Sequence, residues 1–210
     1  MEKFTVLRAV AAPLLSENID TDIIIRIERL VGGSRRDDLS RHAFESWRYR
    51  PDGSENPDFV LNREPYRRAR ILLAGRNFGC GSSREGAVWA LAQWGIRAVL
   101  APSFGDIFRN NCFQNGVLPV ALAQAAIEAI ARQVEAAPEQ NQVTVDLTRS
   151  VVVAPDGSET TFAIDALRRE ALLAGLDDIA LTMKRADEIA RFQDADRARR
   201  PWVYAVEARR

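Results

Sequence analysis

A buried strand, a glycine-rich turn and a helix start follow one another in residues 71–91, and this succession most constrains the fold. The run 71–75 (ILLAG) has the length and composition of a buried β-strand. The next segment, Gly79-Cys80-Gly81, suits a tight backbone path. Ser82 is the expected N-cap of the following helix, with Glu85 completing a capping box. This combination predicts an anion site, because N–H groups and the positive end of a helix dipole converge there.

The rest of the chain extends this pattern into a parallel α/β layer. Apolar runs at 97–101 and 117–120 alternate with a helix predicted over 104–114, for which Ser103 is the expected N-cap. An alanine-rich helix should occupy 121–137 and end before Pro138. The remaining predicted elements are a first strand at 4–10, short strands at 143–147, 151–153 and 160–164, and a helical tail over 165–193 broken at Gly175.

Composition narrows the class of protein. The 210 residues fit one domain spanning 1–210, with 47% apolar and 28% charged residues. Lys+Arg and Asp+Glu number 29 each, so the net charge gives no support to a nucleic-acid or anionic-membrane role. No apolar run reaches the roughly 18–20 residues of a membrane span, and the N-terminus lacks a signal-peptide pattern. We therefore expect a cytoplasmic enzyme.

Cysteine and histidine usage excludes several kinds of site. The two cysteines, Cys80 and Cys112, do not suffice for a disulfide framework or a self-contained iron–sulfur cluster. A single histidine, His42, argues against a histidine-rich zinc site. Cys112 lies among phenylalanines on a predicted helix and is expected in the core. His42 is expected on a helix surface or partly buried, and a catalytic role is disfavoured because no hydroxyl–carboxylate set accompanies it locally.

Several motifs, in order, resemble one known family. The central ones are Gly79-Cys80-Gly81-Ser82-Ser83-Arg84-Glu85 and the run 101–108 (APSFGDIF). Further matches occur at 18–22 (NIDTD), 56–62 (NPDFVLN), 110–113 (NNCF) and 164–169 (IDALRR). Together they resemble the small subunit of 3-isopropylmalate dehydratase, which corresponds to the swivel domain of the aconitase superfamily. The resemblance implies an α/β fold, specifically a three-layer β/β/α swivelling domain of the aconitase type.

The same resemblance implies an activity and its partners. The activity is a hydro-lyase that interconverts 2- and 3-isopropylmalate in leucine biosynthesis and works only with a large subunit. That subunit is expected to carry a 4Fe-4S cluster, while this chain binds no metal or cofactor itself. The other expected partner is a small dicarboxylate substrate.

The resemblance also implies roles for particular residues. Ser82 would be the base that removes a substrate proton, and Arg84 would bind a substrate carboxylate, for which a guanidinium fork is well suited. A mobile, polar loop at about 31–41 would reach over the substrate. The other residues expected to line or border the site are Ser83, Asp20, Thr21, Asp22, Arg35 and Arg36.

Alternatives remain for these residues and for the substrate. Ser82 can be read as a helix cap alone, and Asp20 and Asp22 as turn and cap residues. Where the family usually has His and Pro in the central helix, this chain has Gly86 and Val88, and Arg26 replaces another family proline. These departures leave open the same chemistry on another 2-substituted malate, such as dimethylmalate, citramalate or homocitrate.

The central turn has three other interpretations. A dinucleotide-binding module would use a GxGxxG turn, but Arg84 occupies the third glycine position. A catalytic Cys80 is conceivable at a helix N-terminus, although no histidine neighbours it in sequence. A non-catalytic binding module is the third alternative, and nucleotide binding or pairing with an iron–sulfur subunit would separate these classes.

Overall fold

Two four-stranded sheets and a set of helices build the domain. The computed structural model describes residues 1–31 and 36–205, without the side chains of 36 and 37. The strands are β1 Val6–Ala9, β2 Ala11–Leu14, β3 Ile71–Ala74, β4 Ala98–Ala101, β5 Leu118–Ala121, β6 Val143–Asp146, β7 Val151–Val153 and β8 Glu159–Thr161. The helices are α1 Thr21–Ile24, α2 Ile27–Val31, α3 Glu45–Arg48, α4 Glu85–Trp94, α5 Asp106–Gln114, α6 Gln124–Ala136, α7 Ala166–Ala174, α8 Asp178–Met183, α9 Ala186–Arg199 and α10 Pro201–Tyr204. Short 3₁₀ turns occupy Arg36–His42, Val60–Asn62 and Tyr66–Arg68.

The parallel sheet forms the centre of the core. Its order is β2-β3-β4-β5, and Ile71 pairs with Ala11 on one side and with Ala98 on the other. Every residue of β3 and β4 is fully buried, which means that both faces of the sheet are covered. Helix α6 contacts β2, β3 and β4. The strand–helix alternation predicted from the sequence is therefore confirmed.

The predicted first strand at 4–10 is confirmed as β1, and a second strand that was not predicted, β2, follows it directly in the other sheet. Strand β1 pairs antiparallel with β6, whereas β2 pairs parallel with β3. The chain changes sheet at Val10, whose carbonyl accepts a hydrogen bond from the amide of Arg70 at 3.1 Å. The segment thus links the parallel sheet to the antiparallel sheet β1-β6-β7-β8.

Prolines lie in both edge strands of the parallel sheet. Pro13 is in β2 and Pro119 is in β5, the first and last strands of the sheet order. A proline has no N–H to donate, so it is tolerated at an edge and disfavoured in a central strand. The central strands β3 and β4 contain no proline.

The C-terminal helices agree with the predicted tail and its break. Helix α7 begins after Asp165, whose carboxylate accepts hydrogen bonds from the amides of Leu167 and Arg168. It ends at Gly175, which has a left-handed φ of 71°. The predicted strand at 160–164 is displaced toward the N-terminus, since β8 covers Glu159–Thr161.

The segment 31–41 is not simply an exposed loop where the structure describes it. Val31 ends helix α2, and residues 36–42 form a 3₁₀ turn. Leu39 is buried, and its amide donates to the side-chain oxygen of Gln93 at 2.7 Å. This part of the segment is therefore fastened to α4. Residues 32–35 lie outside the described part of the chain.

Candidate active site

The glycine-rich turn lies at the carboxyl end of the parallel sheet, between two other loops. On one side, the Gly79 amide donates to the Ile19 carbonyl at 2.7 Å, and the Thr21 amide donates to the Cys80 carbonyl at 2.9 Å. On the other side, the Gly105 amide donates to the Phe78 carbonyl at 2.9 Å. Ligand sites of open α/β sheets form at this end of the strands, where loops converge.

Steric crowding explains two glycines at the site, Gly79 in the turn and Gly105 in the loop before α5. A Cβ on Gly79 would overlap the ring of Phe108, and the residue has a φ of +71°. A Cβ on Gly105 would lie 2.5 Å from the Gly79 carbonyl oxygen. Glycine is therefore required at both positions, and each belongs to one of the two central motifs.

Ser82 is not the N-cap of the central helix, so that prediction is wrong. Helix α4 begins at Glu85, its N-cap is Arg84, and no side-chain cap hydrogen bond is made there. Glu85 does not complete a capping box, since its carboxylate accepts from the Asn115 side chain at 2.9 Å. Ser82 lies two residues before the cap with an exposed side chain. The structural interpretation of Ser82 as a helix cap therefore fails.

Ser103 does not cap its helix either. Helix α5 begins at Asp106 after Gly105, again without a side-chain cap. The Ser103 hydroxyl instead accepts from the amide of Asn77 at 2.9 Å. The backbone at Asn77 has an uncommon left-handed φ of 59°. The hydrogen bond to Ser103 helps to hold the loop after β3 in this conformation.

The hydroxyl of Thr21 reaches Ser82 from the neighbouring loop. Thr21 Oγ1 lies 3.1 Å from the carbonyl oxygen of Ser82 and 3.4 Å from its Oγ. Thr21 is 1% exposed, whereas Ser82 faces solvent. A threonine hydroxyl has one proton to donate and two lone pairs. When it donates to the Ser82 carbonyl, it can still accept the proton of the Ser82 hydroxyl.

Arg84 is held on the same loop by an acidic partner. Its Nη1 contacts the carboxylate of Asp22 in an ion pair and lies 3.5 Å from the Ile25 carbonyl oxygen. The Arg84 side chain is 16% exposed and that of Asp22 is 56% exposed. The guanidinium therefore contacts the segment that follows Thr21, with an exposed carboxylate as one of its partners.

The other predicted site residues fall into three groups. The Asp20 carboxylate caps α1 by accepting from the Ile23 amide at 2.8 Å, so the cap interpretation is confirmed for Asp20. Ser83 is exposed between Ser82 and Arg84. Arg35 lies outside the described residues, and so does the side chain of Arg36. The structure brings Thr21, Asp22, Ser82 and Arg84 together.

Cys112 and His42 lie as the sequence predicts. Cys112 is fully buried, and burial raises the pKa of its thiol well above the usual value. His42 is half-buried, with Nδ1 3.7 Å from Glu45 Oε2. Burial, followed by the charge of Arg29, lowers the pKa of His42. Among residues 1–31 and 36–205, no group of three or more His, Cys, Asp or Glu side chains could hold a metal ion.

A basic cleft beside α3 was not anticipated from the sequence. It has a volume of about 570 Å³. Its lining includes Arg26, Arg41, His42, Glu45, Tyr49 and Arg50. Glu45 is engaged by a two-point ion pair with Arg29 at 2.6 and 2.9 Å. Neither Ser82 nor Arg84 lines this cleft.

No helix in the described part of the chain is long and apolar enough to span a membrane.

The fold and the serine–arginine turn define an aconitase-type domain. The family model described as the aconitase C-terminal domain matches residues 1–125. A second model, which describes the C-terminal domain of the 3-isopropylmalate dehydratase small subunit, matches residues 178–206, and one described as LeuD_N matches 128–166. The predicted fold class is therefore confirmed.

Individual relatives identify the family. The chain is 52% identical over 202 residues to a 3-isopropylmalate dehydratase small subunit from Gluconacetobacter diazotrophicus, covering 96% of this chain and 97% of the relative. It is 53% identical over 206 residues to one from Cupriavidus necator, covering 97% and 99%. The crystal structure of 3-isopropylmalate dehydratase from Methanocaldococcus jannaschii superposes with a TM-score of 0.63 at 26% identity, covering 89% of this chain and 98% of that one. The chain belongs to the family of 3-isopropylmalate dehydratase small subunits.

Proposed function

We propose that this chain is the small subunit of a hydro-lyase that interconverts 2- and 3-isopropylmalate by removing and re-adding water. Family membership at about 50% identity over nearly the full length supports this reaction and the place in leucine biosynthesis. The structural observation that carries the proposal is the contact of Thr21 with Ser82 and of Asp22 with Arg84, which joins the same two loops twice.

Arg84 is proposed to bind a carboxylate of the substrate. Its guanidinium already contacts one carboxylate, that of Asp22, and planar two-point pairing with a second is the geometry that arginine favours. The Asp22 partner is exposed, and exposed ion pairs contribute about 0–1 kcal/mol, so a substrate carboxylate can take its place. Asp22 would keep the guanidinium oriented until then.

Ser82 is proposed to accept the proton from the substrate carbon. Its hydroxyl is free of helix capping and exposed, with Thr21 Oγ1 3.4 Å away. A serine is a weak base in water, and it becomes effective only where donors and a cation stabilise its alkoxide. Thr21 can turn its proton to Ser82, and Arg84 supplies a positive charge two residues away. Ser83 is proposed to line the same pocket.

The 4Fe-4S cluster is assigned to the large subunit. The residues of this chain do not fit such a cluster, because Cys112 is buried in the core and Cys80 is the one other cysteine. When bound in the large subunit, the cluster would supply a Lewis acid for the departing hydroxyl. The present chain would provide the carboxylate-binding and proton-accepting groups. The two subunits are proposed to assemble in the cytoplasm.

The decisive experiment is reconstitution of the purified chain with the large subunit of the same organism. The chain alone should be inactive, and the pair should dehydrate 3-isopropylmalate with a kcat/KM well above that for dimethylmalate, citramalate or homocitrate. Activity of the small subunit alone would contradict the two-chain proposal. A preference for another substituted malate would replace the substrate while retaining the reaction class.

Substrate choice is proposed to depend on the segment 31–41, including Arg35 and Arg36. The support is the family resemblance, which implies that this polar, glycine-bearing segment reaches over the substrate. Exchange of this segment for the common family version should change the ratio of kcat/KM values among substituted malates. Unchanged ratios in the reconstituted pair would remove the segment from the site.

A further inference from the structure

The side chain of Leu30 fills the space that a side chain on Gly86, in the first turn of α4, would need. A Cβ built on Gly86 would lie 2.5 Å from Leu30 Cδ2, 2.7 Å from Cδ1 and 3.2 Å from Cγ. Gly86 is buried and lies in a regular helix, where glycine lowers helix propensity. The backbone conformation does not require this glycine, so the space for Leu30 is the physical reason for it.

This contact is the apolar attachment of α2 to the helix that follows the serine–arginine turn. Helix α2 has no fully buried residue, and its Ile27 and Val31 are exposed. Leu30 is the partly buried α2 residue that packs against the core. The neighbouring Arg29 pairs with Glu45 of α3, so this ion pair joins α2 to α3 and not to α4. Leu30 therefore fixes the distance between α2 and α4.

Arg84 lies between this attachment and a second one. At one end, Thr21 is hydrogen-bonded to Cys80 and to Ser82. At the other end, Leu30 lies on Gly86, two residues beyond Arg84. Within residues 1–31 and 36–205, the guanidinium contacts Asp22 and the Ile25 carbonyl, which both belong to the segment between the two attachments. A shift of Leu30 would be transmitted to both groups.

We infer that Leu30, seated on Gly86, is a positioning residue that sets the orientation of the Arg84 guanidinium for the substrate carboxylate. The inference rests on the proposed function in one respect, the role of Arg84 as the carboxylate-binding group. The Asp22–Arg84 pair is exposed at its acidic end and cannot fix the geometry alone. The buried packing of Leu30 against α4 can, because close-packed side chains transmit displacements.

The test uses size exchange between the two positions in the reconstituted enzyme. Leu30→Ala leaves a gap, and Gly86→Ala pushes Leu30 away, so each should raise KM for 3-isopropylmalate by about three- to tenfold with a smaller change in kcat. The double variant should have a KM closer to wild type than either single variant, since a small side chain at 30 leaves room for the new Cβ. Leu30→Met, which keeps the apolar volume, should retain a near wild-type KM.

A matched control separates positioning from stability. Leu172→Ala removes the same atoms from a fully buried position in α7, where α7 packs near the N-terminus. It should lower Tm at least as much as Leu30→Ala and leave KM unchanged. The inference is overturned if Leu172→Ala raises KM equally, or if the effects of the two single variants simply multiply in the double variant. Wild-type KM values in both single variants would overturn it too.

Arg84→Lys, measured in the same series, distinguishes the positioning role from the carboxylate site itself. If Arg84→Lys impairs the enzyme while the Leu30 and Gly86 variants do not, the positioning role alone fails. If Arg84→Lys leaves the kinetics unchanged, the proposed carboxylate site fails and the positioning role fails with it. Should Leu30→Ala not fold, Leu30→Val and Gly86→Ala provide the same comparison.

Discussion

The hydroxyl of Thr21 lies 3.4 Å from the hydroxyl of Ser82, although the two residues are 61 positions apart in sequence. Thr21 is buried and Ser82 is exposed, so the pair joins a rigid group to a reactive one. The rigid partner limits the orientations available to the serine. It also gives the serine a hydroxyl neighbour that can either donate a hydrogen bond to it or accept one from it.

Replacement of Thr21 should test this relationship directly. Thr21→Val keeps the shape and removes the hydroxyl, and we expect kcat of the reconstituted enzyme to fall about tenfold, the effect of one lost hydrogen bond. Thr21→Ser keeps the hydroxyl and should retain most of the activity. Steady-state kinetics of both variants provide the comparison, and equal activity of valine and threonine enzymes would remove Thr21 from the mechanism.

Ser82 should be essential for turnover and dispensable for stability. Ser82→Ala and Ser82→Gly should each lower kcat by about a thousandfold or more, because general base catalysis alone contributes about 10²–10⁴. Since Ser82 is exposed and does not cap α4, Tm should remain within about 2 °C of wild type. Thermal unfolding and subunit assembly serve as controls. Near wild-type turnover in an assembled glycine variant would contradict the proposed base.

Arg84→Lys should damage substrate binding although the charge is kept. A lysine ammonium is a point charge without the planar fork, so KM should rise by about tenfold or more. Arg149→Lys is the matched control, since Arg149 pairs with Glu159 on an exposed surface of the antiparallel sheet. That variant should have unchanged kinetics. If both variants behave alike, the geometry of the Arg84 guanidinium has no special role.

Gly79 should be intolerant of any side chain. In Gly79→Ala the new Cβ would overlap the ring of Phe108, and the left-handed φ adds backbone strain, so the free energy of unfolding should fall by about 3 kcal/mol or more. Gly157→Ala is the control, because its φ is also positive while no atom lies within 4 Å of the added Cβ. It should cost about 1 kcal/mol. Denaturant unfolding of both variants measures the steric part as their difference.

His42 should make stability depend on pH in the weakly acidic range. Burial lowers its pKa below the ordinary value of 6.5, so the folded state binds fewer protons than the unfolded state there. The free energy of unfolding should therefore decrease as pH falls from about 7 through 6.5 toward the lowered pKa. His42→Gln should flatten this decrease between about pH 7 and pH 5.5, above the titration range of most carboxylates. An equal slope in both proteins would contradict the assignment.

Local patterns in the sequence predicted most of the elements correctly but misplaced the starts of two helices, α4 and α5. The buried strands at 71–75 and 97–101 follow from unbroken apolar runs, and the break at Gly175 follows from a glycine after a periodic segment. Ser82 and Ser103 are both suitable caps by local preference. Each is instead held by a distant segment, Ser82 by Thr21 and Ser103 by Asn77. Tertiary contacts therefore determine the roles of both serines, and such contacts cannot be predicted from the neighbouring residues in sequence.

The site shows the same limit. The residues Ser82 and Arg84 were indicated by their motif, but the pairing of Arg84 with Asp22 depends on two loops meeting at the sheet edge. The role of Gly86 could not be inferred, because its physical reason is a methyl group of Leu30 in a different helix. The motif thus indicated the residues of the site, whereas their contacts with one another depend on the fold.

The two prolines in the outer strands of the parallel sheet have a consequence for self-association. Pro13 and Pro119 each leave a gap in the row of amide donors that an added strand would need. A second chain cannot continue the hydrogen-bond ladder past either proline. Growth of the sheet by stacking of copies, the route to amyloid-like aggregation, is thereby interrupted at both ends while the buried centre remains intact.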